Sequence, residues 1–231
     1  TFDGVKFEDT SWLTPNEIGY NDAQSGTYAQ HNGVWGDVPG AIETHAAKNI
    51  TITNSELRNL GIGGIRIGNG SSDCAITNSA IHDISSSGIF IGNNTGHNHG
   101  YCDPGTDVTG VVVRNNYITR TGLDIFGSSA ICALYTSDTV IDHNEVCYTT
   151  YTGISLGWGW DWKNAPCSGN NTVSNNYIHD TGKTIHDGGS FYSLGLQEGT
   201  KVFGNYLHHH SDGLYDKDGG LYTDEGSTGL E

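Results

Sequence analysis

The sequence contains no methionine, few prolines and few basic residues. Ten lysines and arginines stand against 26 aspartates and glutamates, which gives the 231-residue chain a formal charge of −16. Nucleic acids and anionic membranes bind basic surfaces, so we expect neither as a partner. No apolar run approaches the ~18 residues that a membrane-spanning helix needs, and this excludes such a helix. Because even the first residue is not methionine, we expect the chain to be a piece of a longer protein.

Metal-binding and redox motifs are also missing. The five cysteines include no C-x-x-C pair, which excludes a zinc knuckle or a thioredoxin motif. Cys102 and Cys167 lie in long predicted loops and could be bridged to each other, although the odd count leaves at least one cysteine without a partner. The run His208–His210 has no carboxylate at ligand spacing. We therefore predict no metal site and no cofactor.

Glycine, with 34 residues, is abundant, and one phrase returns along the chain. The segment ITITNSELRNLGIGGIRIG, residues 50–68, recurs 24 residues later as CAITNSAIHDISSSGIFIG, residues 74–92. Weaker copies begin at Val111, Val140, Thr172 and Lys201. A repeat of about 20–50 residues with short β-branched segments is the signature of a stacked solenoid. Each coil of such a fold buries its apolar face against its neighbours.

The repeat predicts an all-β fold, a single-stranded parallel β-helix of about six coils with long loops on one side. We expect residues 1–47 to form an irregular N-terminal segment with a partial first coil, and residues 48–231 to form the coils of one domain. Coils lie about 4.8 Å apart, so like residues stack on like. Equivalent apolar positions are Ile52, Ile76, Val113, Ile141, Val173 and Val202. Recurring asparagines, such as Asn78 and Asn176, are expected to hydrogen-bond along the axis.

Repetition in one slot indicates scaffold, and a break in the repeat indicates function. His82, His179 and His208 each follow an apolar residue in the same slot, so we predict structural roles for them. The break comes in the last coils. There HDGGSFYSLG, residues 186–195, aligns with KDGGLYTDEG, residues 217–226.

This alignment places Asp187 over Asp218, while Asp224 replaces the Leu194 of the previous coil. Glycoside hydrolysis needs two carboxyl groups, one protonated and one ionised, and like charges on adjacent coils push their pKa values apart. We therefore predict Asp187, Asp224 and Asp218 as catalytic candidates, with Glu225 beside them as a substrate contact. The alternative is that Asp-Gly-Gly is ordinary turn sequence.

Aromatic residues concentrate in the last three coils, where flat rings suit the faces of sugar rings. Three tryptophans fall in the single loop WGWDWK, and an aspartate inside it could orient a sugar hydroxyl. The alternative is that the rings pack against the solenoid. The predicted substrate contacts are Trp158, Trp160, Asp161, Trp162, Tyr192 and Tyr222.

The phrases GISLGWGW, NNYIHDTG, HDGGSFYSLG and GLYTDEGSTG resemble the central coils of right-handed parallel β-helix glycoside hydrolases. The chain is similar to glycoside hydrolase family 141. That resemblance implies right-handed coils and an activity such as α-L-fucosidase or xylanase. In the family, catalysis is attributed to a pair of aspartates on adjacent coils. By motif these correspond to Asp187 and Asp224, with Asp218 as the competing choice for the second.

Together these features predict a secreted or extracellular hydrolase, with the periplasm or the cell surface as variants of that location. Its partner would be a neutral polysaccharide or oligosaccharide. One alternative is a structural or carbohydrate-binding β-helix without turnover, such as an adhesin or fibre segment, in which exposed terminal coils associate end to end. Another is a polysaccharide lyase, which would need a basic residue and usually Ca²⁺ near the site.

Overall fold

The computed structural model describes residues 1–19, 21–29, 35–92, 105–160, 167–211 and 219–231. Within these ranges the chain winds into seven coils, each with one strand in each of three parallel sheets, and then begins an eighth. The predicted parallel β-helix is therefore confirmed, with one coil more than the repeat suggested. Residues before position 47 contribute the whole of coil 1, whose strands pair in parallel with those of coil 2.

The strands of each sheet follow one another in chain order. The first sheet contains Phe2–Asp3, Thr51–Thr53, Ala75–Thr77, Val112–Arg114, Val140–Asp142, Thr172–Ser174, Leu196–Phe203 and Thr228–Leu230. The second sheet contains Lys6–Ser11, Glu56–Gly61, Ala80–Ile84, Tyr117–Thr121, Glu145–Cys147, Tyr177–Thr181 and Tyr206–His210. The third sheet contains Gly40–Thr44, Gly63–Ile67, Ile89–Gly92, Ile131–Leu134, Ile154–Leu156, Gly189–Ser193 and Gly219–Thr223. A small parallel pair joins Val108–Thr109 to Thr136–Ser137.

Apolar side chains fill the interior because alternate residues of each short strand point inward. The predicted column is confirmed residue by residue, since Ile76 pairs with both Ile52 and Val113, and the register continues through Ile141 and Val173 to Val202. Parallel columns of isoleucine, leucine and valine from the other two sheets complete a thin, continuous core.

Asparagines stabilise the turn between the first and second sheets in two columns. In the buried column, Nδ2 of Asn116 donates to Asn144, that of Asn144 to Asn176, and that of Asn176 to Asn205, at 2.9–3.0 Å. In the outer column, residues such as Asn115 have a left-handed backbone, which asparagine tolerates. The predicted amide ladder is confirmed and lies mainly in the buried column.

A long insertion interrupts coil 1 between its second and third strands. We call residues 12–39 the inserted segment. It contains the helix Thr14–Ile18, the 3₁₀ turn Gln24–Gly26 and an antiparallel sheet of Asn21–Ala23, Thr27–Ala29 and Trp35–Asp37. Across the described ranges of the chain, no helix is long and apolar enough to cross a membrane. The inserted segment lies against the outer face of the third sheet, and this contact builds the candidate site.

Candidate active site

The outward residues of the third sheet form one column across the coils. Strand register places them in the order Glu43, Arg66, Phe90, Cys132, Ser155, Tyr192 and Tyr222. The column begins with charged side chains and ends with two tyrosines whose ring centroids are 5.5 Å apart. The Asp-Gly-Gly turn that begins at Asp187 and the side chain of Asp224 flank this tyrosine end.

The inserted segment is fixed to this column at several points. Asp37 forms an ion pair with Arg66, whose guanidinium also lies 5.1 Å from the centroid of the Phe90 ring. Further along, the thiol of Cys132 contacts the carbonyl oxygen of Ser25 at 3.6 Å. A polar residue of the inserted segment can therefore reach the tyrosine end of the column.

That residue is Gln24, which connects the two predicted catalytic aspartates. Its Nε2 donates to Oη of Tyr151 at 2.8 Å and to Oη of Tyr192 at 3.3 Å. Tyr192 in turn donates to Oδ2 of Asp224 at 2.5 Å, while Tyr151 donates to the carbonyl oxygen of Asp187 at 2.8 Å. One network thus holds the side chain of Asp224 in coil 7 and the backbone of the turn at Asp187 in coil 6. We call these five residues the Gln24 network.

The turn that carries Asp187 depends on the glycine after it. Asp187 has a left-handed backbone with φ of 67°. At Gly188 a Cβ atom would lie 2.6 Å from Oγ1 of Thr152 and 2.8 Å from the Tyr151 ring, so only glycine allows this approach. The exposed carboxylate of Asp187 accepts a hydrogen bond from Oη of Tyr222 at 3.3 Å.

Burial raises the pKa of both tyrosine hydroxyls of the network, which are therefore protonated at neutral pH. It raises the pKa of Tyr151 to about 12. Burial also raises the pKa of Tyr192 far above its ordinary value, and the hydrogen bond to Asp224 and the charge of that carboxylate raise it further. Because a phenol that keeps its proton can donate it to an acceptor, Tyr192 presents a permanent donor to half-buried Asp224.

The predicted sugar-binding aromatics divide between interior and surface. Trp158 and Tyr192 are only 2% and 1% exposed and belong to a second apolar cluster. Their faces therefore contact protein, and Tyr192 instead directs its hydroxyl to Asp224. Trp160 and Tyr222 are partly buried against that cluster, with the Trp160 ring 5.4 Å from that of Trp158. These two rings keep an exposed portion.

Other predicted site residues are placed as follows. Glu225 is exposed beside Asp224. Asp161, Trp162 and Asp218 lie outside the described residues. The sequence predictions did not include Gln24 and Tyr151 in the site. Gln24 precedes the first recognisable repeat, so no pattern marked it, whereas Tyr151 belongs to the concentration of aromatic residues in the last three coils.

Two further chemical features stand outside this network. Cys167 is disulfide-bonded, while Cys74, Cys132 and Cys147 are free and buried. In the described part of the chain, Glu145, Cys147 and His179 form a group of side chains that could hold a metal ion. They lie on the second sheet.

Comparisons with known proteins agree with this architecture. A sequence model of the right handed beta helix region matches residues 40–230, which confirms the expected handedness. No curated protein matches the sequence. A solved structure described as a glycoside hydrolase superimposes with a TM-score of 0.83 at 28% identity, over 99% of this chain and 43% of that one. The chain thus spans less than half the length of that protein.

Two more distant structures share the fold alone. The complex of XylC with xylose has a TM-score of 0.59 at 15% identity and covers 83% of this chain and 30% of that one. The Dettilon tailspike protein has a TM-score of 0.51 at 16% identity, with coverage of 75% and 30%.

Proposed function

Because the chain belongs to the right-handed β-helix family, we propose that it is a carbohydrate-active member that hydrolyses glycosidic bonds at the tyrosine end of the third sheet. The observation that carries the proposal is the Gln24 network, which holds two carboxyl-bearing residues of adjacent coils beside a partly exposed aromatic surface. The similarity to a glycoside hydrolase over 99% of the chain supports it. The substrate we propose is a neutral polysaccharide or one of its side chains.

The two aspartates differ in environment, and this suggests separate roles. Asp224 accepts a short hydrogen bond from Tyr192, which is itself held by Gln24. A carboxylate fixed as an acceptor suits the ionised partner, which attacks the sugar or activates water. Asp187 is exposed and its carboxylate has the longer contact, 3.3 Å to Tyr222. We assign it the remaining role, that of the acid that protonates the leaving oxygen.

Aromatic subsites would border these carboxyl groups. Trp160 and Tyr222 retain exposed ring area next to the buried cluster, and sugar rings stack on such surfaces. Asp218, which the sequence offers as a competing second carboxylate, and the loop residues Asp161 and Trp162 stay predictions. The formal charge of −16 favours a neutral glycan over an acidic one because like charges repel.

We also propose that the protein works outside the cytoplasm. Disulfides persist mainly in oxidising compartments, and Cys167 is disulfide-bonded. Glycan polymers are accessible there. End-to-end association of coils stays a separate prediction.

The test is hydrolysis of neutral polysaccharides and aryl glycosides, including xylosides and α-L-fucosides, followed by release of reducing ends. Asp224→Asn and Asp187→Asn are each expected to lower kcat about 10²–10⁴-fold, the usual contribution of an acid or base. Asp138→Asn is the matched control. It also has a left-handed backbone but lies in a turn near the first sheet, bonded to Thr109 at 3.2 Å, and should leave kcat unchanged.

The outcomes separate the competing functions. Glycan binding with no turnover in the unmodified protein, unchanged in Asp224→Asn, would establish a binding β-helix instead. A product with an unsaturated sugar, seen by its ultraviolet absorbance, would establish a lyase. Either result would overturn the hydrolase proposal.

A further inference from the structure

The outer face of the second sheet brings three metal-ligating side chains together. Glu145 and Cys147 are two residues apart on one strand, so their side chains point to the same face. Cys147 pairs in register with His179 on the next coil. One ligand atom from each lies within 4.8 Å of the other two. We propose that these three residues bind a divalent cation of the zinc type.

A neighbouring carboxylate fixes the tautomer of His179. Nδ1 of His179 lies 2.9 Å from Oδ2 of Asp180, and Nζ of Lys183 lies 3.1 Å from the other oxygen of the same carboxylate. An ionised carboxylate can only accept, so Nδ1 carries the proton. In the neutral ring, Nε2 then presents its lone pair. A carboxylate behind the second ring nitrogen is the usual arrangement for a metal-binding histidine.

The lone pair of His179 faces another acceptor. Nε2 is 3.5 Å from Oε1 of Glu145 and, within the described residues, is a buried atom without a hydrogen-bond partner. Two acceptors facing each other repel unless a positive charge lies between them. Zinc binds nitrogen and carboxylate oxygen at about 2.0–2.2 Å, so tetrahedral ligands lie about 3.4 Å apart. The observed spacing already fits, and Cys147 supplies the sulfur ligand that zinc favours.

An equivalent pair elsewhere on the same sheet is neutralised differently. Nε2 of His82 lies 3.3 Å from Oε1 of Glu56. That carboxylate also pairs with Lys6 at 3.1 Å and with Arg58 at 3.7 Å. Arg58 is the register neighbour of His82. Protein cations therefore balance the charge at this place.

At the proposed site the register neighbour of the histidine is Cys147, a potential thiolate, instead of an arginine. In the described part of the chain, Glu145 has no lysine or arginine partner, and His179 is its only ion-pair neighbour. Where the His82 pair has an arginine, the His179 pair therefore has a side chain that can itself bind a cation. Because Glu145 is exposed, an ion can arrive from solvent and keep water as its fourth ligand.

Metal titration of the whole chain tests this site independently of any hydrolase activity. The protein is dialysed against EDTA and then titrated with Co²⁺, which substitutes for zinc and reports a thiolate ligand by sulfur-to-metal charge-transfer absorption. One equivalent should bind and give that band. Zn²⁺ should displace the Co²⁺. Cys147→Ser should abolish the band and weaken Zn²⁺ binding by about 100-fold or more, since even outer-shell changes cost 10–100-fold.

Further variants allow the site to be tested even if Cys147→Ser disturbs the fold. Glu145→Gln changes an exposed side chain and should weaken Zn²⁺ binding by about 10-fold. Cys74→Ser, at another buried free thiol, and His82→Asn, at the equivalent pair, should change neither the band nor the affinity. A missing band, or a band that survives Cys147→Ser, would overturn the proposal.

Discussion

Replacing Asn144 by alanine is expected to destabilise the β-helix by about 3–5 kcal/mol. Its Oδ1 accepts from the backbone N and from Nδ2 of Asn116, both at 3.0 Å. Its Nδ2 donates at 3.0 Å to the carbonyl oxygen of Val113 and to Oδ1 of Asn176. Alanine would leave two donors and a carbonyl buried without partners. Each such group costs about 1–3 kcal/mol, so three of them would cost about 3–9 kcal/mol, and partial relaxation of the coils keeps the loss in the lower half of the range for the sum.

Urea unfolding followed by tryptophan fluorescence measures this loss. With a slope of about 3 kcal/mol/M, the urea midpoint should fall by about 1–1.7 M. Asn144→Ser is the matched variant because Ser79 occupies the same slot in coil 3, where its hydroxyl donates to the carbonyl oxygen of Thr77 at 2.8 Å and accepts from Ser55 N at 3.1 Å. Serine should recover about half of the lost stability. Equal midpoints for all three proteins would refute the reasoning.

Three further changes test the charge balance and the site. Burial raises the pKa of Asp142, but hydrogen bonds from neighbouring side chains outweigh burial and lower the pKa to about 2. About 1–2 kcal/mol of stability is therefore present above pH 4 and should be lost between pH 4 and pH 2. Acid-unfolding curves should show this loss in the unmodified protein and not in Asp142→Asn. Gly188→Ala should lower both Tm and kcat, measured by thermal melts and rate assays, because the added Cβ would lie 2.8 Å from the Tyr151 ring. Gly220→Ala should change neither, because the atom nearest to its added Cβ is 3.7 Å away. Gln24→Ala should lower kcat about 10-fold or more while Tm stays within a few degrees; an unchanged kcat would show that the Gln24 network plays no part in turnover.

Much of the scaffold could be predicted from the sequence because each coil repeats the same solution. The alignment that placed Ile52 over Ile76 is also the strand register. The shared motif also matched Tyr192 to Tyr222, which do pair, but the strand register sets Gly189 against Gly219, one residue away from the alignment that placed Asp187 over Asp218. Side chains that recur in one slot reveal their neighbours, since the next coil always lies one repeat away.

The site was less predictable because it uses contacts outside the repeat. Coil 1 lacks the recurrent asparagine and isoleucine motif, so only a partial coil was predicted there, and Phe2 and Phe7 did not mark its first two strands. Gln24 reaches residues 127 and 168 positions later in the chain, a separation that no local pattern encodes. The burial of Trp158 depends on contacts with the outer face of the third sheet, which aromatic composition alone does not indicate.

The inserted segment connects coil 1 to a residue several coils further along the solenoid axis. The segment leaves and rejoins the β-helix in coil 1, yet Gln24 bonds to Tyr192 in coil 6. At 4.8 Å per coil, Tyr192 lies about 24 Å further along the axis. Repeat proteins commonly gain and lose units because each unit contacts only its neighbours. Here, one coil added or removed between these points would shift Tyr192 by about 4.8 Å and break its bond to Gln24. The coil count of this stretch is therefore fixed by a segment outside the repeat.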